Sequence, residues 1–84
     1  MKLLDLPIAS AARVSALDVD ATIARRLRAV GVFEDEAIIV LRRAPFGGPI
    51  HVRTSSGGEF ALDRRIAACI EVMAALDDVA EAAE

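Results

Sequence analysis

The chain has one histidine, His51, and one cysteine, Cys69, which are its best candidates for nucleophilic or metal chemistry. A Cys69–His51 pair could act as a catalytic dyad only if the fold placed the imidazole beside the thiol. The residues around Cys69 are small or apolar, so we interpret it as a buried hydrophobic side chain, the usual state of a free cysteine. His51 is expected to point outward, which leaves Ser15, Ser55 and Ser56 without a histidine to activate them. The sequence therefore predicts a protein that is not an enzyme.

Metal binding is the second chemistry that His51 could support. A structural zinc site takes about four ligands, and ferrous iron usually combines histidine with carboxylates. One copy of the chain cannot supply such a set, so we expect no resident cofactor. A weakly bound transition metal is the alternative, held between copies of the chain by His51 with Glu59 or Asp63.

The segment Pro45-Phe46-Gly47-Gly48-Pro49 interrupts all regular structure, because its prolines lack donors and its glycines permit positive φ. It is not a phosphate-binding loop, which would need a lysine and a hydroxyl residue at the start of a helix. The glycines are expected to let the chain turn a tight corner. Phe46 lies at the tip of this rigid loop, where it could anchor a partner protein. We therefore predict that all five residues contribute to partner binding.

The arginines are the other candidates for recognition. The formal net charge is −3, but the chain from Glu71 onward carries only acids, so the preceding body is less acidic than the total implies. Arg25 and Arg28 on a predicted helix are expected to meet an acidic partner surface, where charge raises association rate and specificity. The alternative set lies on predicted strands: Arg42, Arg43 and Arg53. RNA binding is disfavoured, since the chain has no Tyr or Trp on which bases could stack.

Length and composition predict one soluble domain. Eighty-four residues, 55% of them hydrophobic and 27% charged, suffice for one core. The single cysteine excludes an intramolecular disulfide, so packing must hold the fold, with homo-oligomerisation as an open possibility. No apolar run reaches the roughly 20 residues that span a bilayer. We therefore expect a cytoplasmic protein that does not insert into membranes.

The first half of the chain predicts a lead-in, a strand and a helix. Pro7 restricts Leu6 to extended geometry, which suits a segment lying across the mouth of a barrel. Residues 12–17 alternate with period two, as in a half-buried strand. From Asp20 the apolar residues recur at helical spacing, with Asp20 as the N-terminal cap and Gly31 as the terminating residue.

The second half predicts short strands. Residues 37–41 are nearly all apolar and indicate a central strand buried on both faces, and residues 50–53 and 60–62 alternate. Asp63 is expected to cap one helical turn before residues 70–72 complete the sheet. The predicted fold is mainly β, a small barrel of about five strands over residues 1–75 with a helix between strands one and two. Residues 76–84 are predicted to form an acidic tail, a frayed helix.

Several segments resemble the FeoA family in order and spacing: residues 4–7, 26–32, 44–50 and 60–72. The resemblance spans nearly the whole chain and implies an SH3-like barrel with a helix between the first two strands. It also implies a cytosolic partner of FeoB, a membrane transporter that carries a GTP-hydrolysing domain and moves ferrous iron.

Similar domains form the C-terminal module of diphtheria-toxin-repressor-like metal regulators, so a stand-alone sensor of metal or another small ligand is the alternative function. The chain departs from the family where a Pro-Gly turn usually follows the helix glycine. It has Glu34-Asp35 there, for which we expect a type I turn.

Overall fold

The computed structural model of the chain describes residues 1–56 and 58–74, which form one antiparallel sheet with two helices and a short 3-10 helix. The strands are β1 (Ala11–Leu17), β2 (Ala37–Arg43), β3 (Ile50–Thr54), β4 (Gly58–Leu62) and β5 (Ile70–Ala74). The helices are α1 (Ala21–Ala29) and α2 (Arg64–Ala67), and the 3-10 helix is Leu3–Asp5. The sheet order is β4-β3-β2-β1-β5, so β2 is central, as predicted. The predicted tail, residues 76–84, lies outside the described residues.

One face of the sheet curves around a single core. In β2, Ile38 and Val40 are buried whereas Ile39 and Leu41 are only partly so, and in β3 Ile50 and Val52 face inward. The prediction that β2 is buried on both faces is therefore wrong. Ala37, Ile39 and Leu41 alternate with the buried residues and are partly exposed, so only one face of the central strand belongs to the core.

Both ends of α1 are closed as the sequence predicts. The Asp20 carboxylate accepts a hydrogen bond from the Ile23 amide at 2.9 Å. At the other end Gly31 has φ 94° and donates to the Arg28 carbonyl, while Val32 donates to the Leu27 carbonyl. These two bonds form a Schellman motif, which ends the helix at a residue that tolerates positive φ.

The lead-in is part of the core. Leu3 and Leu6 are 0% and 1% exposed, and Leu6 is extended with φ −70° and ψ 129°, as Pro7 predicts. The Arg43 guanidinium, at the end of β2, donates hydrogen bonds to the Leu4 and Leu6 carbonyls. The lead-in therefore covers the core with two leucines and is held to the central strand by the Arg43 side chain.

The turn between α1 and β2 differs from the expectation. The Glu36 amide donates to the Phe33 carbonyl at 3.1 Å, which makes Glu34 and Asp35 the central residues. Asp35 has φ 73°, so the turn is not type I, and a positive φ at the second central position is typical of type II. A Pro-Gly pair favours the same turn, so Glu34-Asp35 preserves the backbone that the resemblance implies.

We expect Asp35→Gly to raise the free energy of unfolding by about 0.5–1 kcal/mol, because it removes the steric cost of a left-handed L-residue. The Asp35 amide and carbonyl bonds to Val14 and Arg13 involve only its backbone and survive the change. Urea denaturation measures the effect. Glu34→Gly is the matched control and should be destabilising, since Glu34 has no positive φ; equal effects of the two would contradict the assignment.

Candidate partner-binding surface

The connection between β2 and β3 is a tight, hydrogen-bonded loop. The Ala44 amide donates to the Pro49 carbonyl at 3.0 Å, and the Gly48 amide to the Pro45 carbonyl at 3.2 Å. The two residues between Pro45 and Gly48 have φ 59° and 73°, the signature of a type I′ hairpin turn. This geometry fixes the direction in which the loop tip points.

Phe46 occupies the first of those two positions and its side chain is fully exposed, at 103% of the reference value. A left-handed conformation is costly for an aromatic L-residue, and type I′ turns favour asparagine or glycine there. The side chain gains no burial to offset this cost. The fold therefore does not explain a phenylalanine at this position, which is consistent with a role in binding.

Two clefts lined by arginines flank the loop. One, of about 520 Å³, lies between Gly47 and the start of α2, where it is lined by Arg64 and Arg65. The other, of about 300 Å³, is lined by Arg42 and Arg43 of β2 together with Pro45 and Pro49. We call Phe46 with Arg42, Arg64 and Arg65 the Phe46 surface.

The charge on the Phe46 surface is mostly uncompensated. Arg42 and Arg64 are exposed and form no ion pair within residues 1–56 and 58–74. Arg65 lies 3.6 Å from the Asp63 carboxylate, whose oxygen also accepts from the Arg65 amide at 2.7 Å as the predicted cap of α2. Two guanidinium groups are thus available to an anionic group beside Phe46.

The structure does not bring the predicted site residues together. Arg25 and Arg28 lie on α1. Val30, the C-terminal cap of that helix, accepts a 3.2 Å hydrogen bond at its carbonyl from the Thr54 hydroxyl, at the C-terminal end of β3. The loop of Phe46 leads into the other end of β3, at Ile50, and the four steps from Ile50 to Thr54 span about 13 Å at 3.3 Å per residue. Arg28 also stacks on the Phe33 ring at 4.8 Å. The predicted residues therefore form two separate surfaces, and binding by either stays a prediction.

Sequence reasoning missed Arg64 and Arg65 as members of the loop surface. They are separated from Gly47 by β3 and β4, yet a side chain at Gly47 would meet Arg64 atoms at 3.9 Å. Adjacent arginines that follow a helix-capping aspartate were the available signal. That signal predicts that the two arginines lie at the start of α2, but it does not predict which loop lies next to α2.

His51 is half-buried and its Nε2 lies 3.6 Å from Glu59 Oε1, while Arg53 lies 3.6 Å from the other oxygen of the same carboxylate. Among the residues described, no three His, Cys, Asp or Glu side chains are grouped closely enough to hold a metal. The described residues of one copy thus place two possible ligands side by side here, one of them shared with an arginine. The shared site between copies stays a prediction.

The prediction that Cys69 is buried is wrong. The residue is partly exposed, and its thiol donates to the Arg65 carbonyl at 3.4 Å. Its neighbours Ala67 and Ile70 do fill the core, so the apolar flanks were interpreted correctly. The thiol lies outside because the chain is turning from α2 into β5 at this point, and consecutive residues there face different directions.

Glu36 forms a hydrogen-bonding network that the sequence does not reveal. Its two carboxylate oxygens accept from the Ser55 and Ser56 hydroxyls at 2.5 Å each, and one also accepts from the Ala37 amide at 3.1 Å. These bonds join the start of β2 to the β3–β4 turn. The bonds from Ser55 and then Ser56, with a smaller contribution from the Arg13 charge, lower the pKa of Glu36.

The lowered pKa predicts an acid-dependent loss of stability. A carboxyl whose pKa is lower in the folded than in the unfolded state stabilises the fold above its unfolded value, about 4.3 for Glu, and this contribution disappears as the pH falls through the folded value. Wild type should therefore exceed Glu36→Gln in stability at neutral pH, with the difference shrinking below about pH 4. Urea unfolding measured from neutral pH downward tests this. Glu34→Gln, which makes the same change of charge at an exposed position of the preceding turn, is the matched control.

Residues 1–74 match the family model of the FeoA domain. This chain belongs to the FeoA family. The chain is similar in structure to the FeoA protein of Chlorobium tepidum. The two are 32% identical, with a TM-score of 0.81 over 89% of this chain and 70% of that one. No curated protein sequence matches the chain.

Two further FeoA-family structures support the fold. Stenotrophomonas maltophilia FeoA, solved with zinc, is 34% identical with a TM-score of 0.70 over 87% of this chain and 89% of that one, and is described as a prokaryotic SH3 domain protein. Iron(II) transport protein A of Clostridium thermocellum is 31% identical with a TM-score of 0.82 over 89% of this chain, which spans about half, 46%, of that protein. The predicted SH3-like fold and the FeoA resemblance are thereby confirmed.

Within the described part of this FeoA-family chain, none of the helices has the length and apolar character that crossing a bilayer requires.

Proposed function

We propose that this FeoA-family protein is a cytoplasmic accessory factor of ferrous iron uptake that acts by binding a FeoB-type membrane transporter. The observation that carries the proposal is the exposed Phe46, held in a strained turn between arginine-lined clefts on a FeoA domain. Support also comes from the S. maltophilia relative, which is described as a candidate ferrous iron transport activating factor.

Binding alone is sufficient for such a role. A partner that contacts one conformation of a transporter better than another shifts the equilibrium toward the first by its differential affinity. The buried core and hydrogen-bonded loop make the FeoA domain a rigid body for this purpose, so little conformational entropy is lost on binding. No bond is made or broken by the accessory protein in this mechanism.

The test is co-sedimentation of the chain with membranes that contain a FeoB-type transporter, with and without guanine nucleotide and ferrous iron. Wild type should sediment with these membranes and not with membranes that lack the transporter. Phe46→Ala and Arg28→Glu then distinguish the two surfaces, which lie at opposite ends of β3. We expect Phe46→Ala to abolish co-sedimentation with these membranes. If only Arg28→Glu abolished it, the interface would lie on α1 instead. Absence of wild-type binding under all conditions would refute the proposal.

A second candidate is a sensor of a transition metal or small ligand. It is favoured by the zinc complex of the S. maltophilia relative and by the His51–Glu59 pair, which a second copy would have to complete. Calorimetric titration of metal-free protein with ferrous iron and zinc tests it. Heat that is unchanged in His51→Ala would exclude this histidine as a required ligand, and no heat at all would refute the sensor.

A further inference from the structure

We infer that the protein partner of the Phe46 surface presents an apolar pocket with carboxylates on its rim. The inference rests on the proposed function, because it assigns the chemistry of the partner at the same surface. Three observations support it: the exposure of Phe46, the backbone hydrogen bonds that close its turn and the position of Arg42 and Arg64, which form no ion pair among the described residues, in two clefts beside the loop.

The apolar part of the inference follows from Phe46. An aromatic side chain at 103% relative exposure leaves its whole surface in water until a partner buries it. Both central φ angles of the turn and its two backbone hydrogen bonds hold the ring outward before any partner arrives. A preorganised aromatic protrusion is the typical form of an interface anchor, and its complement is a pocket lined with apolar atoms.

The charged part follows from the clefts. Arg42 and Arg64 line two different clefts beside the loop, and neither has an ion-pair partner among the residues that the structure describes. Arg43 is already engaged, since its guanidinium donates to two carbonyls of the lead-in. In a complex, the rim of the partner's pocket around the Phe46 ring would therefore meet the guanidinium groups of Arg42 and Arg64. Carboxylates on that rim would complement their charge.

Other anionic partners fit these observations less well. Nucleic acid binding relies on successive aromatic platforms, and Phe46 is a single ring. An anionic membrane would attract the arginines, but the Asp63 carboxylate, which caps α2 and pairs with Arg65, lines the same cleft, and one phenylalanine gives little insertion energy. A folded protein pocket satisfies both the ring and the separated charges.

The experiment measures binding of the full chain to the detergent-solubilised FeoB-type transporter by biolayer interferometry at about 50 and about 300 mM NaCl. Phe46→Asn is the first variant, because asparagine followed by glycine is favoured in type I′ turns. We expect it to raise the melting temperature while weakening binding at least about tenfold. A variant that is more stable yet binds less cannot be explained by misfolding.

Arg42→Glu and Arg64→Glu are the charge variants, and Arg26→Glu on the exposed face of α1 is the matched control with the same change in net charge. Each charge variant should weaken binding at least about tenfold at low salt, through slower association and faster dissociation. The control should change it by less than about threefold. The difference in binding affinity between wild type and the charge variants should be smaller at about 300 mM NaCl than at about 50 mM.

The outcomes separate the inference from the proposed function. If wild type binds and the charge variants bind no more weakly than Arg26→Glu, the acidic rim is wrong while the proposed function survives. Undiminished binding by Phe46→Asn refutes the apolar pocket in the same way. If wild type binds vesicles of phosphatidylcholine and phosphatidylglycerol and Phe46→Asn does not, the surface recognises lipid and the inference is overturned. No binding of wild type to the transporter overturns both.

Discussion

Replacing Leu6 by alanine is expected to lower the free energy of unfolding by about 2–5 kcal/mol, the usual cost of removing a buried leucine side chain. Leu6 is 1% exposed, and the backbone around it is held by Arg43, so the lead-in cannot readily collapse into the cavity. A small domain is stable by only about 5–15 kcal/mol, which makes this the largest effect that we predict. Equilibrium urea denaturation followed by circular dichroism measures it.

Ile8→Ala is the control for that experiment. Ile8 lies two residues further along the same lead-in but is 51% exposed, so its truncation should cost less than about 1 kcal/mol. If Leu6→Ala were as mild as Ile8→Ala, the lead-in would not be part of the cooperative core. A large effect would establish that the barrel needs its first six residues to close.

The second large effect is expected at Gly48, where alanine should destabilise the fold by about 1–3 kcal/mol. A Cβ at this position would lie 2.8 Å from the Ala44 Cβ and 3.4 Å from the Pro45 carbonyl oxygen. Neither neighbour can move without moving backbone, so the loop itself must shift. Gly47→Ala is also expected to be unfavourable, by about 1–2 kcal/mol, but through its φ of 73° and not through a clash.

A double-mutant cycle distinguishes these two causes. Ala44→Gly removes the atom that the new methyl group would strike, so Gly48→Ala should cost clearly less in the Ala44→Gly background than in wild type. The same background should not rescue Gly47→Ala, because a Cβ there would meet only Arg64 side-chain atoms at 3.9 Å, and the cost comes from the unfavourable φ of 73°. Thermal unfolding of the six proteins is sufficient: wild type, the three single variants and the two double variants. Equal costs of Gly48→Ala in both backgrounds would contradict the proposed clash.

These loop variants also bear on binding. The Phe46 surface depends on a turn whose direction is set by Gly47 and Gly48, while Phe46 itself is the residue that the turn tolerates least. Stability therefore favours substitution of Phe46, and the proposed role in binding would account for its presence. An activity loss that accompanies higher stability is the pattern expected where a residue serves recognition and not folding.

Much of the fold could be predicted because its signals are local. Asp20 and Asp63 cap helices, Gly31 ends one, and the alternation in β1 and β3 identifies the buried side of each strand. Each of these features is decided by residues within a few positions, through a hydrogen bond, a dihedral preference or the two-residue period of a strand. The order and spacing of such segments also resembled the FeoA family, which the family match confirmed.

Other features depend on which elements meet, and sequence spacing does not determine that. Ile39 is partly exposed although it lies in the nearly all-apolar segment 37–41, because only the alternate residues of β2 face the core. Asp35 donates its amide to the Val14 carbonyl and accepts from Arg13, and these bonds hold it in a conformation that its residue type does not favour. In both cases the arrangement of other elements outweighs the local preference.

The loop with Phe46 was identified from its prolines and glycines alone, since those residues remove donors and permit positive φ wherever they occur. Only the tertiary structure placed Arg64 of α2 beside that loop and put Arg28 at the opposite end of β3. The sequence could therefore determine which residues were unusual for a folded domain. Which of them share one surface was decided by the packing of elements far apart in the chain, because a binding surface is a property of the assembled barrel.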